Sequence, residues 1–242
     1  MFSFGGNTKQ IIHLSLEHFP PAALVRMLVG DPPVRRWLHI DTGSDLTWIL
    51  PPYGYEPQRS STFSYRSCDG LLKSTYVTPS KTRGQCTYRQ ELEDKVVYEG
   101  TLGTETFAFE TGDGESGILK NVVYGFGKTV GGRRVGSGTL GLNLGVLSIT
   151  KSFGLKFSIC LGNFNYIRRE KHFLALGDDA IFGGWEVPLD TKDAAYRISL
   201  TSIIIEGENL GLENVLSKTK SIIDTGTSTI SFGARSISGC RG

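Results

Sequence analysis

Along nearly the whole chain, apolar and β-branched residues come in short runs separated by glycine-bearing turns, a pattern that predicts many short strands. Thr101–Glu110 and Ile118–Phe126 read as strands flanking a Thr-Gly-Asp-Gly turn at 111–114, and Arg197–Glu206 reads as a further strand turning at Gly207. Residues 51–85, rich in proline, serine, threonine and glycine, read as a long surface excursion. The helical candidates are short, around Ala22–Val29 and Ile149–Phe153. The fold class expected from this pattern is all-β.

Composition sharpens that picture. The 242 residues include 31 glycines, well above ordinary usage, which suits a chain of strands and turns. The 26 basic and 24 acidic residues nearly cancel, giving a formal charge of +2, so nothing points to nucleic acid or an acidic lipid surface. The arginine doublets at 35–36, 133–134 and 168–169 read as solvated turn charges. No apolar run reaches the length of a membrane span, and the first residues lack the basic, apolar and small-residue regions of a secretory signal. Asn-x-Ser/Thr acceptors are absent from the sequence. The histidines, His13, His18, His39 and His172, are scattered, and no metal or cofactor is expected. Cys68, Cys86, Cys160 and Cys240 permit three pairings, and their spacing does not choose among them. Cys68 with Cys86 is the favoured pair, since both lie in one loop-rich segment.

An internal repeat carries the chemistry. His39-Ile40-Asp41-Thr42-Gly43-Ser44-Asp45-Leu46 and Ile222-Ile223-Asp224-Thr225-Gly226-Thr227-Ser228-Thr229 each run from apolar positions into Asp-Thr-Gly and then a hydroxyl residue, so each could head its own lobe. Two carboxylates brought face to face cannot both ionise and share a proton over a wide pH range. The ionised member can take a proton from water while the protonated one hydrogen-bonds a carbonyl, a route to amide hydrolysis without metal or covalent intermediate. In this reading Asp41 and Asp224 are the reacting pair. Gly43 and Gly226 permit tight turns, Thr42 and Thr225 can bond across the lobe junction, and Ser44 and Thr227 can orient the carboxylates. The bland alternative, two β-turns that use Asp and Gly for turn chemistry alone, does not account for matching flanks.

The likeness extends beyond the two motifs. Gly30-Asp31-Pro32-Pro33 ahead of Asp41-Thr42-Gly43-Ser44-Asp45-Leu46-Thr47-Trp48 resembles the opening of the nepenthesin-like branch of pepsin-type aspartic proteases. Ser60–Phe63, Cys86–Tyr88, Gly100–Leu102, Thr104–Phe107, Gly138–Leu142, Phe157–Leu161 and Leu176–Asp178 follow that family's order, so the resemblance spans about residues 27–232. It implies a bilobal pepsin-like fold, with an N-terminal lobe over 1–155 and a partial C-terminal lobe over 156–242. It also implies endopeptidase action on polypeptides at acid pH by a monomer, in the extracellular space or endomembrane system. A flap hairpin is implied near 86–100, with Leu92 and Asp94 at its tip and Trp48 near it as substrate-binding candidates.

Several positions depart from the family pattern. Leu92 stands where the flap tyrosine is expected, Ile49-Leu50-Pro51-Pro52-Tyr53 replaces the cysteine cluster after Trp48, and Phe126 stands where the family shows cysteine. Only residues 225–242 follow Asp224, so the second lobe is expected to be incomplete and the apolar faces around Asp224 open. Those departures favour, as an alternative, a catalytically inactive relative that binds peptides or protein partners through its first lobe. A third expectation is a truncated product that does not fold stably. Gly136-Ser137-Gly138-Thr139-Leu140-Gly141 fits a dinucleotide fingerprint, but Gly145 interrupts the helix it would need, so it reads as a glycine turn in a β lobe. Trp48 and Phe107 read primarily as core aromatics, and Tyr196 as a strand residue packing in the second lobe.

Overall fold

The computed structural model describes residues 11–18, 21–50, 55–71, 76–82, 84–91, 96–110, 116–130, 137–162, 172–227 and 230. It is built almost wholly of strands. Twelve of them form one sheet system, and two small antiparallel pairs stand apart near the C-terminal end of the described chain.

The long hairpin of β8 (Val97–Glu110) and β9 (Ser116–Val130) is the largest element. From Gly103 along β8 the positions alternate, with Gly103, Glu105, Phe107 and Phe109 buried and Thr104, Thr106 and Ala108 partly exposed, as a strand with one face on a core requires. Both predicted strands of this hairpin are present, each longer than the apolar run alone suggested; the turn at 111–114 lies outside the described residues. A bulge between Glu105 and Phe107 shifts the register against β9.

The segment expected to be helical at Ala22–Val29 is instead strand β2 (Pro21–Val29), paired with both β1 (Ile11–His18) and β3 (Val34–Asp41). Ala22, Ala23, Leu24 and Val25 are buried in succession. A strand covered on both faces loses the two-residue period that marks a half-exposed one. The other helical candidate, Ile149–Phe153, is a 3-10 helix capped by the Ser148 side chain, which accepts from the Thr150 amide at 3.2 Å. Arg197–Glu206 is also broken: β13 (Arg197–Ile198) and β14 (Ile204–Ile205) are separate, and β14 turns back through Glu206 and Gly207, both at positive φ, into β15 (Glu208–Asn209). The excursion at 51–85 is not wholly on the surface, because Tyr55, Leu71 and Val77 are buried.

Two apolar cores result. One gathers Val25, Met27, Leu38, Ile40, Phe107 and Tyr124; the other gathers Leu46, Trp48, Tyr88, Tyr98 and Leu102 around the Cys68–Cys86 disulfide. Phe126, at the position where a cysteine was expected, packs edge-on against Phe63 with centroids 5.4 Å apart. An aromatic contact thus occupies the place of a cross-link.

Three connections position the repeat. Strand β3 delivers Asp41 at its end, and β10 (Gly138–Gly141) runs parallel to it in register, with Gly141 opposite Asp41. The fingerprint-like glycines at 138–141 are therefore a buried strand behind the Asp41 loop rather than a turn. Strand β1 also pairs with β12 (Phe173–Leu176), which pairs in turn with β11 (Phe157–Cys160), so residues beyond 155 continue the sheet of the first half. Beyond them, β16 (Ser221–Ile222) pairs with β13 and delivers Asp224.

Candidate active site

The two Asp-Thr-Gly loops meet. Thr42 Oγ1 donates to the Ile223 carbonyl at 2.9 Å and accepts from the Thr225 amide at 2.9 Å. In mirror fashion, Thr225 Oγ1 donates to the Ile40 carbonyl at 2.9 Å and accepts from the Thr42 amide at 3.1 Å. Each threonine side chain therefore serves as donor and acceptor for the other loop's backbone, an interlock with two-fold character.

The carboxylates are oriented by equivalent neighbours. Asp41 accepts from the Gly43 amide at 2.8 Å and from Ser44 Oγ at 2.5 Å. Asp224 accepts from the Gly226 amide at 2.8 Å and from Thr227 Oγ1 at 2.7 Å. The glycines are needed for closeness: a Cβ on Gly226 would lie 2.5 Å from Asp41 Oδ1, and one on Gly43 would lie 2.9 Å from Asp224 Cγ. No L side chain fits either contact without moving a carboxylate. Burial, outweighing the opposing hydrogen bond from Ser44 and reinforced by the Asp224 carboxylate, pushes the Asp41 carboxyl up to about 6. The structure thus brings together Asp41, Thr42, Gly43, Ser44, Asp224, Thr225, Gly226 and Thr227.

The first loop is braced from behind. The Leu142 amide donates to the Asp41 carbonyl at 2.8 Å, and the Asn143 amide donates to the Ser44 carbonyl at 3.0 Å. Tyr76 hydroxyl donates to the buried Asp45. On the second loop the Ile223 amide donates to the Tyr196 carbonyl at 2.9 Å, while Tyr196 Oη donates to the Leu142 carbonyl at 2.7 Å. Tyr196 therefore sits just before β13 and ties the two halves together, rather than packing as a strand residue within the second. Tyr76, Asn143 and Tyr196 carry no motif of their own, and sequence reasoning assigned them no part in the site.

The hairpin expected at 86–100 is present as β7 (Cys86–Glu91) paired with β8, Glu91 facing Val97; its tip, including Leu92 and Asp94, lies outside the described residues. Trp48, on β4 (Trp48–Ile49), is buried and stacks on Tyr98 of that hairpin with centroids 3.9 Å apart. Around the second loop the apolar surface is open: Ile222 and Ile223 are about half exposed, and Phe182 is 75% exposed. A cavity of about 680 Å³ adjoins it, lined by Phe157, Ile159, Tyr196 and Ile223 and touching Thr42 and Thr225. Neither carboxylate lines this cavity, so it lies behind the interlock and is not a cleft for the reacting bond.

A family model described as "Xylanase inhibitor N-terminal" matches residues 24–178, well over half of the chain. The chain belongs to the nepenthesin-like family of pepsin-type aspartic proteases. It is 33% identical to Aspartyl protease UND of Arabidopsis thaliana over 223 residues, covering 85% of this chain and 55% of that protein. To aspartic proteinase nepenthesin-2 of Nepenthes gracilis it is 28% identical, covering 84% of this chain and 49% of the other. The chain thus spans about half the length of the curated relatives it matches. Among solved structures it resembles edgp (TM-score 0.66, 17% identity, 87% of this chain and 61% of that one). It also resembles soybean basic 7S globulin (TM-score 0.62, 16% identity, 82% and 60%). These two likenesses bear on the fold of the family and not on its chemistry.

Proposed function

We propose that this family member is an endopeptidase that hydrolyses polypeptides with a water activated between Asp41 and Asp224. The observation that carries the reading is the pair itself: two carboxylates, each packed against the other loop's glycine and each fixed by a glycine amide and a hydroxyl. The raised Asp41 keeps its proton in mildly acid solution. There it hydrogen-bonds the scissile carbonyl, while Asp224, the other member of the pair, takes a proton from the attacking water. The water oxygen bonds to the carbonyl carbon, and the adduct collapses as the C–N bond breaks and the nitrogen takes from Asp224 the proton that came from the water. The β7–β8 hairpin covers the bound strand from the first-lobe side. Residues 1–155 form the N-terminal lobe in this reading, and 156–242 contribute the second aspartate.

The test is cleavage of a denatured protein across acid pH by the wild type, Asp41→Asn and Asp224→Asn. Loss of cleavage in both variants, with unfolding transitions retained, supports the reading; cleavage equal to wild type in either rejects it. A second reading, peptide binding without turnover, draws on the family model's description as a xylanase inhibitor N-terminal region and on the open apolar surface beside Asp224. Saturable peptide binding with no product at any pH would favour it.

A further inference from the structure

The two aspartate loops are held unequally from behind. Strand β3, which delivers Asp41, is paired on one side with β2 and on the other with β10. Strand β16, which delivers Asp224, is paired among the described residues with β13, through Arg197 opposite Ile222 and Ile198 opposite Ser221. Tyr196, just before β13, makes up part of the difference, and its bonds close a ring. The Leu142 amide donates to the Asp41 carbonyl at 2.8 Å, and Tyr196 Oη donates to the Leu142 carbonyl at 2.7 Å. The Ile223 amide donates to the Tyr196 carbonyl at 2.9 Å, and Thr42 Oγ1 donates to the Ile223 carbonyl at 2.9 Å. Thr42 follows Asp41 in the chain, so the circuit passes through both loops and returns to its start.

Tyr196 stands on a stiff base. Asp190 and Arg197 pair as an antiparallel bridge, the Arg197 guanidinium grips the Asp193 carboxylate, and the Leu144 amide donates to the Ala194 carbonyl at 2.9 Å. The tyrosine ring meets Phe157 edge-on, with centroids 5.9 Å apart. Burial pushes the phenol up to about 12, so the hydroxyl remains a donor throughout the range in which an acid pair works.

We propose that Tyr196 is a positioning residue that sets the separation of the two carboxylates: its hydroxyl holds the strand leading into Asp224 against the Leu142 brace of Asp41. The proposal rests on the reading of Asp41 and Asp224 as the reacting pair. Two carboxylates share a proton only while they are held close, and misplacing reacting groups by about 1 Å costs about 10²-fold in rate.

The experiment compares wild type and Tyr196→Phe for kcat and KM on an internally quenched peptide across pH. Phenylalanine keeps the ring against Phe157 and the carbonyl that receives the Ile223 amide, so a single link of the circuit is cut. The expected kcat per folded molecule is lower by about tenfold or more, with KM within about threefold of wild type. The alkaline limb should fall by about half a pH unit or more, because carboxylates that stand further apart repel less. His39 on the strand of Asp41, and Asp45 with its Tyr76 partner, are the same in both proteins, so a moved limb reports the pair itself. A purely structural role lowers the folded fraction and leaves the limb in place. A kcat per folded molecule within about threefold of wild type, or an unmoved alkaline limb, therefore overturns the proposal. If the wild type shows no turnover sensitive to Asp41→Asn, the reading of the pair as catalytic falls separately. The role of Tyr196 is then decided by NMR titration of the side-chain carboxyl carbons of the folded proteins. An upper transition of the pair that is lower in the variant supports it, and an unchanged one overturns it.

Discussion

Replacing Thr42 by valine isolates what the threonine interlock contributes. Valine keeps the volume and branching of threonine, so the packing around this buried position is preserved and only the hydroxyl is lost. Two backbone groups then lose their partners, the Thr225 amide and the Ile223 carbonyl, both at 2.9 Å from Oγ1 in the wild type. A buried orphaned polar group costs about 1–3 kcal/mol, and Ile223 is about half exposed, so water recovers part of the loss at its carbonyl. The expected destabilisation is about 2–3 kcal/mol, or a fall in Tm of about 4–12 °C for a chain of this size. Urea unfolding gives the first number and calorimetry the second. Hydrogen exchange at the Thr225 amide reads the site directly and should lose protection along with global stability. The reasoning is refuted by a variant within about 0.5 kcal/mol of wild type whose Thr225 amide exchanges as slowly as before.

Three further outcomes follow from other parts of the site. Because the folded state raises the Asp41 carboxyl from 3.8 to about 6, the native protein binds more protons than the unfolded chain across that window. Stability should therefore fall as pH rises from about 4 to about 6, and Asp41→Asn should flatten that slope in pH-dependent urea midpoints. Gly226→Ala would place a methyl group 2.5 Å from Asp41 Oδ1, so it should abolish cleavage of a quenched peptide while leaving the unfolding of the β8–β9 core nearly unchanged by near-UV circular dichroism. Removing the Cys68–Cys86 bridge by the double serine substitution opens a closure of sequence separation 18, and should cost about 3 kcal/mol in guanidinium midpoints.

The carboxylate loops were legible in the sequence because their chemistry is local: Asp, Thr, Gly and a hydroxyl residue adjoin one another in both copies. The β8–β9 hairpin was legible for a similar reason, since its one-sided burial leaves an alternating pattern. Ala22–Val29 was misread because burial on both faces erases that alternation, and its alanine, leucine and methionine favour helices when judged alone. Tyr76, Asn143 and Tyr196 were invisible as site residues. Their roles come from hydrogen bonds to distant backbone or to Asp45, and no nearby residue marks them.

The interlock also sets a clock. Its two threonines are separated by 183 positions, so during synthesis the first loop waits for the second. At about 5–20 residues per second that wait lasts about 10–40 s. Throughout it the ribosome-bound chain carries Asp41 with no second carboxylate opposite. On the proposed chemistry, a nascent chain in that interval cannot attack itself or its neighbours. The same long-range closure that makes the loops slow to join delays hydrolytic competence until the chain has been made through Thr225.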